Sequence, residues 1–334
     1  MARIRHSLIA AVAASALFLG ACSDSTGTSS TETSASAAAE ARTITVEDNH
    51  GTQEIHLPVE KVAATDNRSF EILDAWGVDL VAAPKQLVPF TVEKYKNDEN
   101  IIDLGTHREP NLEALAAAQP DLIVNGQRFA QHYDAITKLT PGAAIVEFEP
   151  REGEPLAAEL KRQTAELGTI FGKEAEADKL IADFDAALER AKAAYDPAQK
   201  VMAVNVSGGT IGYIAPKVGR TYGPVFEMLG LTPALEVANA SDDHQGDDIS
   251  VEAIASANPD WILVLDRDGA TNTRNTEEYI AASQVIEESA PLKNVTAIKE
   301  GKVVYAPEDT YTNESIITYT EILNGLADAF EGKN

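Results

Sequence analysis

The chain has 334 residues, a formal net charge of −26 and one cysteine. That length is enough for two domains with sizeable hydrophobic cores. The negative charge argues against a nucleic-acid-binding protein, which needs a basic face, and any anionic ligand needs a local cationic pocket. A single cysteine excludes an internal disulfide and a cysteine-based metal site.

Residues 1–22 have the pattern of a lipoprotein signal peptide. The first residues are basic, residues 8–19 are apolar, and residues 19–22 read Leu-Gly-Ala-Cys, which resembles the bacterial lipobox. The alternative is an ordinary secretory signal with an unrelated cysteine. We predict that lipid on Cys22 anchors the protein to the outer face of the cytoplasmic membrane. Residues 23–42 are rich in Ser, Thr and Ala and are predicted to be a flexible tether.

Residues 43–173 are predicted to form an N-terminal α/β lobe. A strand-like hairpin at residues 43–57 comes first, and strands alternate with helices after it. This alternation implies a mainly parallel sheet. The predicted strands after the hairpin cover residues 61–65, 80–83, 122–124 and 143–148.

The sequence from residue 155 to residue 195 has a helical pattern that Gly172 interrupts. Its second part, residues 174–196, is predicted to be one long helix that joins two lobes stiffly over about 30 Å. Residues 197–334 then form a C-terminal α/β lobe. Its predicted elements include strands at 200–206 and 302–305 and a final helix at 316–330.

One stretch occurs twice, as residues 112–124 and residues 251–263, and the two copies align without a gap. Each copy predicts a short helix that ends near a Pro-Asp pair and leads into an apolar strand. Seven residues after the aspartate, each copy has an arginine, Arg128 or Arg267. Unless the similarity is fortuitous, the two lobes place matched cations on either side of a ligand.

Ligands of open α/β sheets bind beyond the carboxyl ends of the strands. Four segments meet that condition: residues 125–129, residues 207–210 with the following predicted loop to residue 220, residues 266–269 and residues 307–311. The sequence has no nucleophile elbow, phosphate-binding loop or His-Glu-x-x-His motif, so enzyme signatures are absent. Of the histidines, only His107, His132 and His244 are placed where they could reach a ligand.

Taken together, these features resemble the substrate-binding proteins of ferric-siderophore and cobalamin ABC importers. The resemblance runs from Thr43 to the C-terminus and rests on the lipobox, the two lobes, the linking helix and the Pro-Asn-Leu-Glu…Pro-Asp-Leu-Ile pattern at residues 110–123. It implies the class III periplasmic-binding-protein fold, with two Rossmann-like lobes joined by a single long helix. It also implies a monomer without catalytic activity or intrinsic cofactor, which delivers its ligand to a permease powered by a separate ATPase.

Several strings are similar to the subgroup that binds ferric catecholate siderophores. In that subgroup three arginines face the ligand, and Arg128, Arg220 and Arg267 match their positions. Tyr311 matches a tyrosine that completes the coordination of iron in tetradentate siderophores. His244 lies near the corresponding histidine, but His-Gln-Gly here is one residue longer than the family's His-Gly. The similar strings are residues 87–89, 94–96, 105–110, 126–128, 219–223, 264–268 and 307–311.

The resemblance also implies a role for the matched glutamates of the repeat. In relatives, one glutamate on each lobe pairs with arginines of the membrane permease. Glu113 and Glu252 occupy equivalent helix starts, one in each lobe. The alternative is that both are acids that only stabilise the helix dipole.

Two other functions remain open at this stage. Haem or cobalamin could be the ligand of the same transporter class, with His244 or Tyr311 as an axial ligand of haem. Haem would also need an apolar slot, and the three arginines favour a compact anion instead. An enzyme or a metal-ion sensor on the same scaffold is disfavoured by the missing motifs.

Overall fold

The computed structural model describes residues 41–333, which form two separate mainly parallel sheets covered by helices. The predicted signal peptide, Cys22 and all but the end of the predicted tether lie outside the described residues. No helix within residues 41–333 is long and apolar enough to cross a membrane.

The chain enters the fold through an antiparallel hairpin. Strands β1 (Arg42–Asp48) and β2 (Gly51–Leu57) pair along their full length, from Arg42 opposite Leu57 to Asp48 opposite Gly51. Each strand buries one apolar side chain, Val46 or Ile55, in the main core. The predicted hairpin at residues 43–57 is therefore confirmed.

The first sheet has the strand order β5-β4-β3-β6-β7, and all its strands are parallel. The chain starts at the central β3, builds outward to β5, and then returns to the other side of β3 with β6. Because the direction of building reverses between β3 and β6, a crevice opens beyond their carboxyl ends. The strands are β3 (Val62–Ala64), β4 (Leu80–Ala83), β5 (Ile102–Asp103), β6 (Leu122–Asn125) and β7 (Ala144–Glu147).

The second sheet repeats this arrangement, with the order β10-β8-β11-β12 and the same reversal between β8 and β11. Strand β9 pairs antiparallel with β8, although the segment that contains it was predicted to be a loop. Gly208 and Gly209 have φ values of 57° and 72°, which allow the tight turn of a hairpin. The strands are β8 (Lys200–Ser207), β9 (Thr210–Ile214), β10 (Thr232–Pro233), β11 (Trp261–Asp266) and β12 (Val303–Tyr305).

Helices α5, α6 and α11 contribute to one hydrophobic core that includes residues of both sheets. Side chains of α6 and α11, including Phe184 and Leu323, belong to one buried cluster that also contains Val124 of the first sheet and Leu263 of the second. Separating the lobes would therefore expose apolar surface. The α-helices are α1 (Phe70–Ala75), α2 (Glu93–Asn97), α3 (Leu112–Ala118), α4 (Tyr133–Leu139), α5 (Leu156–Phe171), α6 (Glu174–Ala194), α7 (Gly223–Leu229), α8 (Val251–Ala257), α9 (Ala282–Glu288), α10 (Thr296–Lys299) and α11 (Ile316–Phe330).

Two glycines shape the junction of α5 with α6. Gly172 ends α5 in the left-handed conformation, with φ 62°, as the predicted interruption requires. Gly168 lets α6 approach closely, because a Cβ at this position would lie 2.7 Å from the Cβ of Ala177. The single long helix between two lobes is thus present, as the predicted fold class requires.

The two copies of the repeat have the same local structure. Asn111 and Ser250 cap α3 and α8 by accepting hydrogen bonds from the backbone of Ala114 and Ala253. Both helices end in a left-handed residue, Gln119 at φ 49° or Asn258 at φ 45°. Asn is one of the few residues other than Gly that adopt this conformation readily, whereas Gln119 adopts it without that preference.

The aspartate of each Pro-Asp pair joins two strands. The carboxylate of Asp121 accepts hydrogen bonds from the backbone N–H groups of Glu60 and Lys61, just before β3. The carboxylate of Asp260 accepts the equivalent bond from the N–H group of Lys200, at the start of β8. Each aspartate therefore aligns the strand that follows it with the central strand of its sheet.

Candidate ligand-binding cleft

A cavity of about 500 Å³ is lined by residues of both lobes. Six of its lining residues are cationic and none is acidic, although the chain as a whole carries a charge of −26. This composition suits an anionic ligand. The predicted site residues Arg128, Arg220, Arg267, His244 and Tyr311 all line this one cavity.

Arg128 follows β6 at the switch point of the first sheet. Its Nη1 donates a hydrogen bond to the Oδ1 atom of Asn67, 3.3 Å away in the loop after β3. Burial lowers the pKa of Arg128, and the nearby Arg220 lowers it further. The hydrogen-bonding capacity of this guanidinium group is therefore largely available to a ligand.

Arg267 occupies the same place in the second sheet. It follows β11, and its Nη1 donates to the Oγ atom of Ser207, 3.2 Å away at the end of β8. The same nitrogen also contacts Oδ1 of Asp268 at 2.9 Å. The repeat thus places two arginines at matched positions, each bonded to a polar side chain beyond the neighbouring central strand.

Arg220 is held by a buried carboxylate. Its Nη2 lies 2.9 Å from Oε2 of Glu314, a residue with a side chain only 3% exposed. Burial would raise the pKa of Glu314, but Arg220 and Arg68 overcome that effect and hold the pKa at about 2. Glu314 and its hydrogen-bond partner Thr221 have φ values of 55° and 62°, which are unfavourable for side chains of these types. The fold therefore keeps local strain where it anchors Arg220.

The ring of Tyr311 lies among the three arginines. The guanidinium carbons of Arg220, Arg267 and Arg128 are 4.2, 5.2 and 5.6 Å from its centroid. The residue is only 6% exposed, and its carbonyl accepts a hydrogen bond from Arg220 at 3.1 Å. Three cations around one phenol stabilise negative charge that reaches this point of the cavity.

His244 also lines the cavity, but its side chain is 50% exposed. Its Nδ1 lies 3.7 Å from Oδ2 of Asp243. The loop that carries it is tied down on its far side, where Asp247 exchanges two backbone hydrogen bonds with Tyr213. His132 is not among the cavity residues, and its Nε2 donates to the carbonyl of His107 at 2.9 Å.

Three further cations of the cavity, Lys96, Arg108 and Arg274, were not assigned from the sequence and bring its cations to six. His107, one of the three histidines considered from the sequence, adds a second imidazole. Arg274 stacks on Phe90, with its guanidinium carbon 3.5 Å from the ring centroid. Lys96, His107 and Arg108 lie in segments that resemble the family, and Arg274 follows Arg267 closely in the sequence. These were the only signals in the sequence that could have indicated a role in the cavity.

A larger cleft of about 1120 Å³ shares Arg220 with the cationic cavity. Its lining has six acidic and four basic residues, so an anion is favoured in the smaller cavity. Within residues 41–333, no group of three or more His, Cys, Asp or Glu side chains could hold a bare metal ion.

Two Rossmann-like lobes, one linking helix and a cavity between them define a class III solute-binding protein. A model of the family described as periplasmic binding proteins matches residues 62–310. The chain therefore belongs to the periplasmic binding protein family.

Individual relatives share most of their length with this chain. It is 30% identical over 292 residues to the ferric-anguibactin-binding protein FatB of Vibrio anguillarum, covering 86% of this chain and 88% of the relative. It is 28% identical to the petrobactin-binding protein YclQ of Bacillus subtilis, covering 85% and 86%. Among solved structures, the siderophore-binding protein BauB, bound to two molecules of acinetobactin and ferric iron, has a TM-score of 0.74 at 27% identity. That match covers 86% of this chain and 99% of BauB.

Proposed function

We propose that this protein captures a ferric siderophore of the catecholate type and delivers it to an ABC importer. The observation that carries the proposal is the ring of Tyr311 surrounded by three guanidinium groups in a cavity without acidic residues. Its relatives FatB and YclQ are a ferric-anguibactin-binding and a petrobactin-binding protein, which supports the same ligand class.

The charges of the cavity fit such a ligand. A ferric tris-catecholate carries a charge of −3, and a bis-catecholate is still anionic. Arg128, Arg220 and Arg267 offer planar N–H groups that can bind catecholate oxygens in pairs. In a chain with a net charge of −26, these fixed cations overcome the repulsion that the rest of the protein exerts on the ligand.

Tyr311 is proposed to bind iron directly when the siderophore is tetradentate. Such a chelate leaves two of the six positions of ferric iron open, and phenolate oxygen is a hard donor suited to it. The family resemblance assigns the second position to an imidazole, that of His244. Both residues line the cavity, but the side chain of His244 is 50% exposed.

Haem and cobalamin are the alternative ligands. Haem needs an apolar slot, whereas this cavity presents six cationic side chains and has a volume of about 500 Å³. The lining therefore favours a compact anion over a flat macrocycle.

Titration of intrinsic fluorescence separates these ligands. Trp76 and Trp261 are 8% and 5% exposed and lie in the core, so quenching reports energy transfer to an absorbing ligand. Ferric catecholates are expected to quench at low concentration, whereas haem and cobalamin are expected to quench weakly. The iron-free siderophore is the control, because it lacks the visible absorption band. Tight quenching by haem alone would overturn the proposal.

Delivery is proposed to use the lipid anchor on Cys22 and the glutamates of the repeat. Glu113 and Glu252 are exposed in the first turns of α3 and α8. Each follows a capping residue with a side chain that accepts a hydrogen bond from the helix backbone, so the two lobes present matched acids. Arginines of a permease are the partners that such a pair of acids would recognise.

A further inference from the structure

His107 belongs to a rigid loop on the wall of the first lobe. The loop joins β5 to α3 and is closed by a bridge between Gly105 and Pro110. Gly105 has φ 72°, and a Cβ there would lie 2.6 Å from the carbonyl oxygen of Glu109, so only glycine fits. The carbonyl of His107 accepts hydrogen bonds from Nε2 of His132 at 2.9 Å and, more weakly, from the amide of Gln131 at 3.5 Å. The backbone of His107 is thus fixed from two sides.

The imidazole of His107 has no hydrogen-bond partner among residues 41–333. Its Nδ1 is buried without a partner, and the hydrogen bonds of the residue involve only its carbonyl. Burial lowers the pKa of His107, and Arg128 and Arg108 lower it further. A neutral imidazole without hydrogen-bond partners is the form that binds metal ions, and His107 is among the residues that line the cavity.

His244, the second histidine of the cavity, is less well placed to bind iron in this conformation. The side chain of His244 is 50% exposed and lies near the carboxylate of Asp243. It belongs to the second lobe, as Tyr311 does, so iron bound by these two residues would be held from one side only. His107 lines the same cavity and belongs to the first lobe, between β5 and α3.

Resting on the proposed function, we propose that His107 supplies a nitrogen ligand to the ferric ion of a tetradentate siderophore, opposite the phenol oxygen of Tyr311. Two waters leave the open positions of iron, the imidazole donates its lone pair, and the phenol proton passes to solvent. Iron would then be bound from both lobes, and ligation itself would hold the cleft closed. A hexadentate siderophore has no open position, so it would bind without His107.

The test compares His107→Ala and His107→Asn with wild type, using a ferric bis-catecholate and a ferric tris-catecholate as probes. The readouts are the dissociation constant and the visible charge-transfer band of the bound iron. The expected result is a loss of ~10-fold or more in affinity for the bis-catecholate, about 1.4 kcal/mol, together with a shift of its band. Affinity and band of the bound tris-catecholate are expected to stay at wild-type values. His56→Ala, in the exposed hairpin, is the matched control.

Several outcomes of this test decide whether His107 binds the iron. A bis-catecholate band unchanged in both His107 variants would overturn the proposal, and a band that changes only in His244→Ala would assign the nitrogen to His244. Circular dichroism melting of each variant identifies a folding defect, and His107→Asn retains much of the original shape if the alanine variant is unstable. Failure of wild type to bind either chelate would instead refute the proposed function.

Discussion

Arg128→Ala is expected to weaken siderophore binding without weakening the fold. The guanidinium group of Arg128 makes one side-chain hydrogen bond, the 3.3 Å contact with Asn67. Among residues 41–333 it has no carboxylate within ion-pair distance, whereas Arg220 has Glu314 and Arg267 has Asp268. Its positive charge is therefore compensated by the ligand and not by the protein.

The size of both effects follows from these contacts. A hydrogen bond to a charged group contributes about 1.5–3 kcal/mol, so loss of Arg128 is expected to raise the dissociation constant roughly 10-fold to 150-fold. The long bond to Asn67 is worth less than about 1 kcal/mol to the free energy of unfolding. Removal of Arg128 also relieves its repulsion with Arg220, which offsets part of that small loss.

Arg220→Ala is the comparison variant. It leaves Glu314 as an ionised carboxylate only 3% exposed, with Arg68 as its remaining partner at 3.8 Å. Breaking a buried ion pair in this way costs about 3–5 kcal/mol of stability. Arg220→Ala should therefore lose both binding and stability, whereas Arg128→Ala should lose binding alone.

Urea unfolding measures the stability and fluorescence titration measures the affinity. Increasing salt should weaken binding of the anionic ligand to wild type more than to Arg128→Ala, because one interacting charge is gone. The reasoning is refuted if Arg128→Ala binds the siderophore as tightly as wild type. It is equally refuted if Arg128→Ala and Arg220→Ala destabilise the protein by the same amount.

Three further predictions concern the junction, the core and the docking surface. Burial, and then Glu149, raise the pKa of Asp66 to about 7 from an unfolded value of 3.8. The neutral acid is therefore favoured in the fold, and wild type should lose up to ~4 kcal/mol of stability relative to Asp66→Asn as pH rises from about 4 to about 7. Urea unfolding at several pH values checks this, and a difference independent of pH would contradict it. Gly168→Ala should destabilise the protein by about 1–3 kcal/mol through overpacking against Ala177, which is measured as a lower melting temperature. Gly142→Ala is the control and should leave the melting temperature unchanged, because Gly142 is exposed and a Cβ there has no atom within 4 Å. Replacing both Glu113 and Glu252 with alanine should abolish siderophore uptake by cells and leave ligand affinity intact, and an equal loss of affinity would exclude a docking role.

Much of the fold could be predicted because its signals are local. The Pro-Asp pairs, the capping residues and the left-handed Gln119 and Asn258 act within a few residues or on the adjacent strand. Strand β9 was missed because its signal, Gly208-Gly209 between apolar runs, was interpreted as a loop. A Gly-Gly pair in that setting is equally typical of a hairpin turn.

The site could be predicted only in part, because its electrostatics depend on distant segments. Glu314 follows Arg220 by 94 residues and reaches it from the turn before α11, so no spacing in the sequence connects them. Lys96 reaches the cavity from α2, and Arg108 reaches it from the loop between β5 and α3. Arg128 and Arg267 could be paired from the repeat alone, since both follow equivalent strands.

The repeat also explains why the three arginines of the cavity have different roles. Arg128 and Arg267 extend from the switch points of the two sheets, and each bonds a polar side chain beyond the central strand, Asn67 or Ser207. Arg220 has no counterpart in the repeat. It is bound by Glu314, donates to the carbonyl of Tyr311 at 3.1 Å and lies 4.2 Å from that ring. Arg128 and Arg267 therefore place one positive charge in each lobe. Arg220 mainly holds Tyr311, the residue that is proposed to bind the iron, in position.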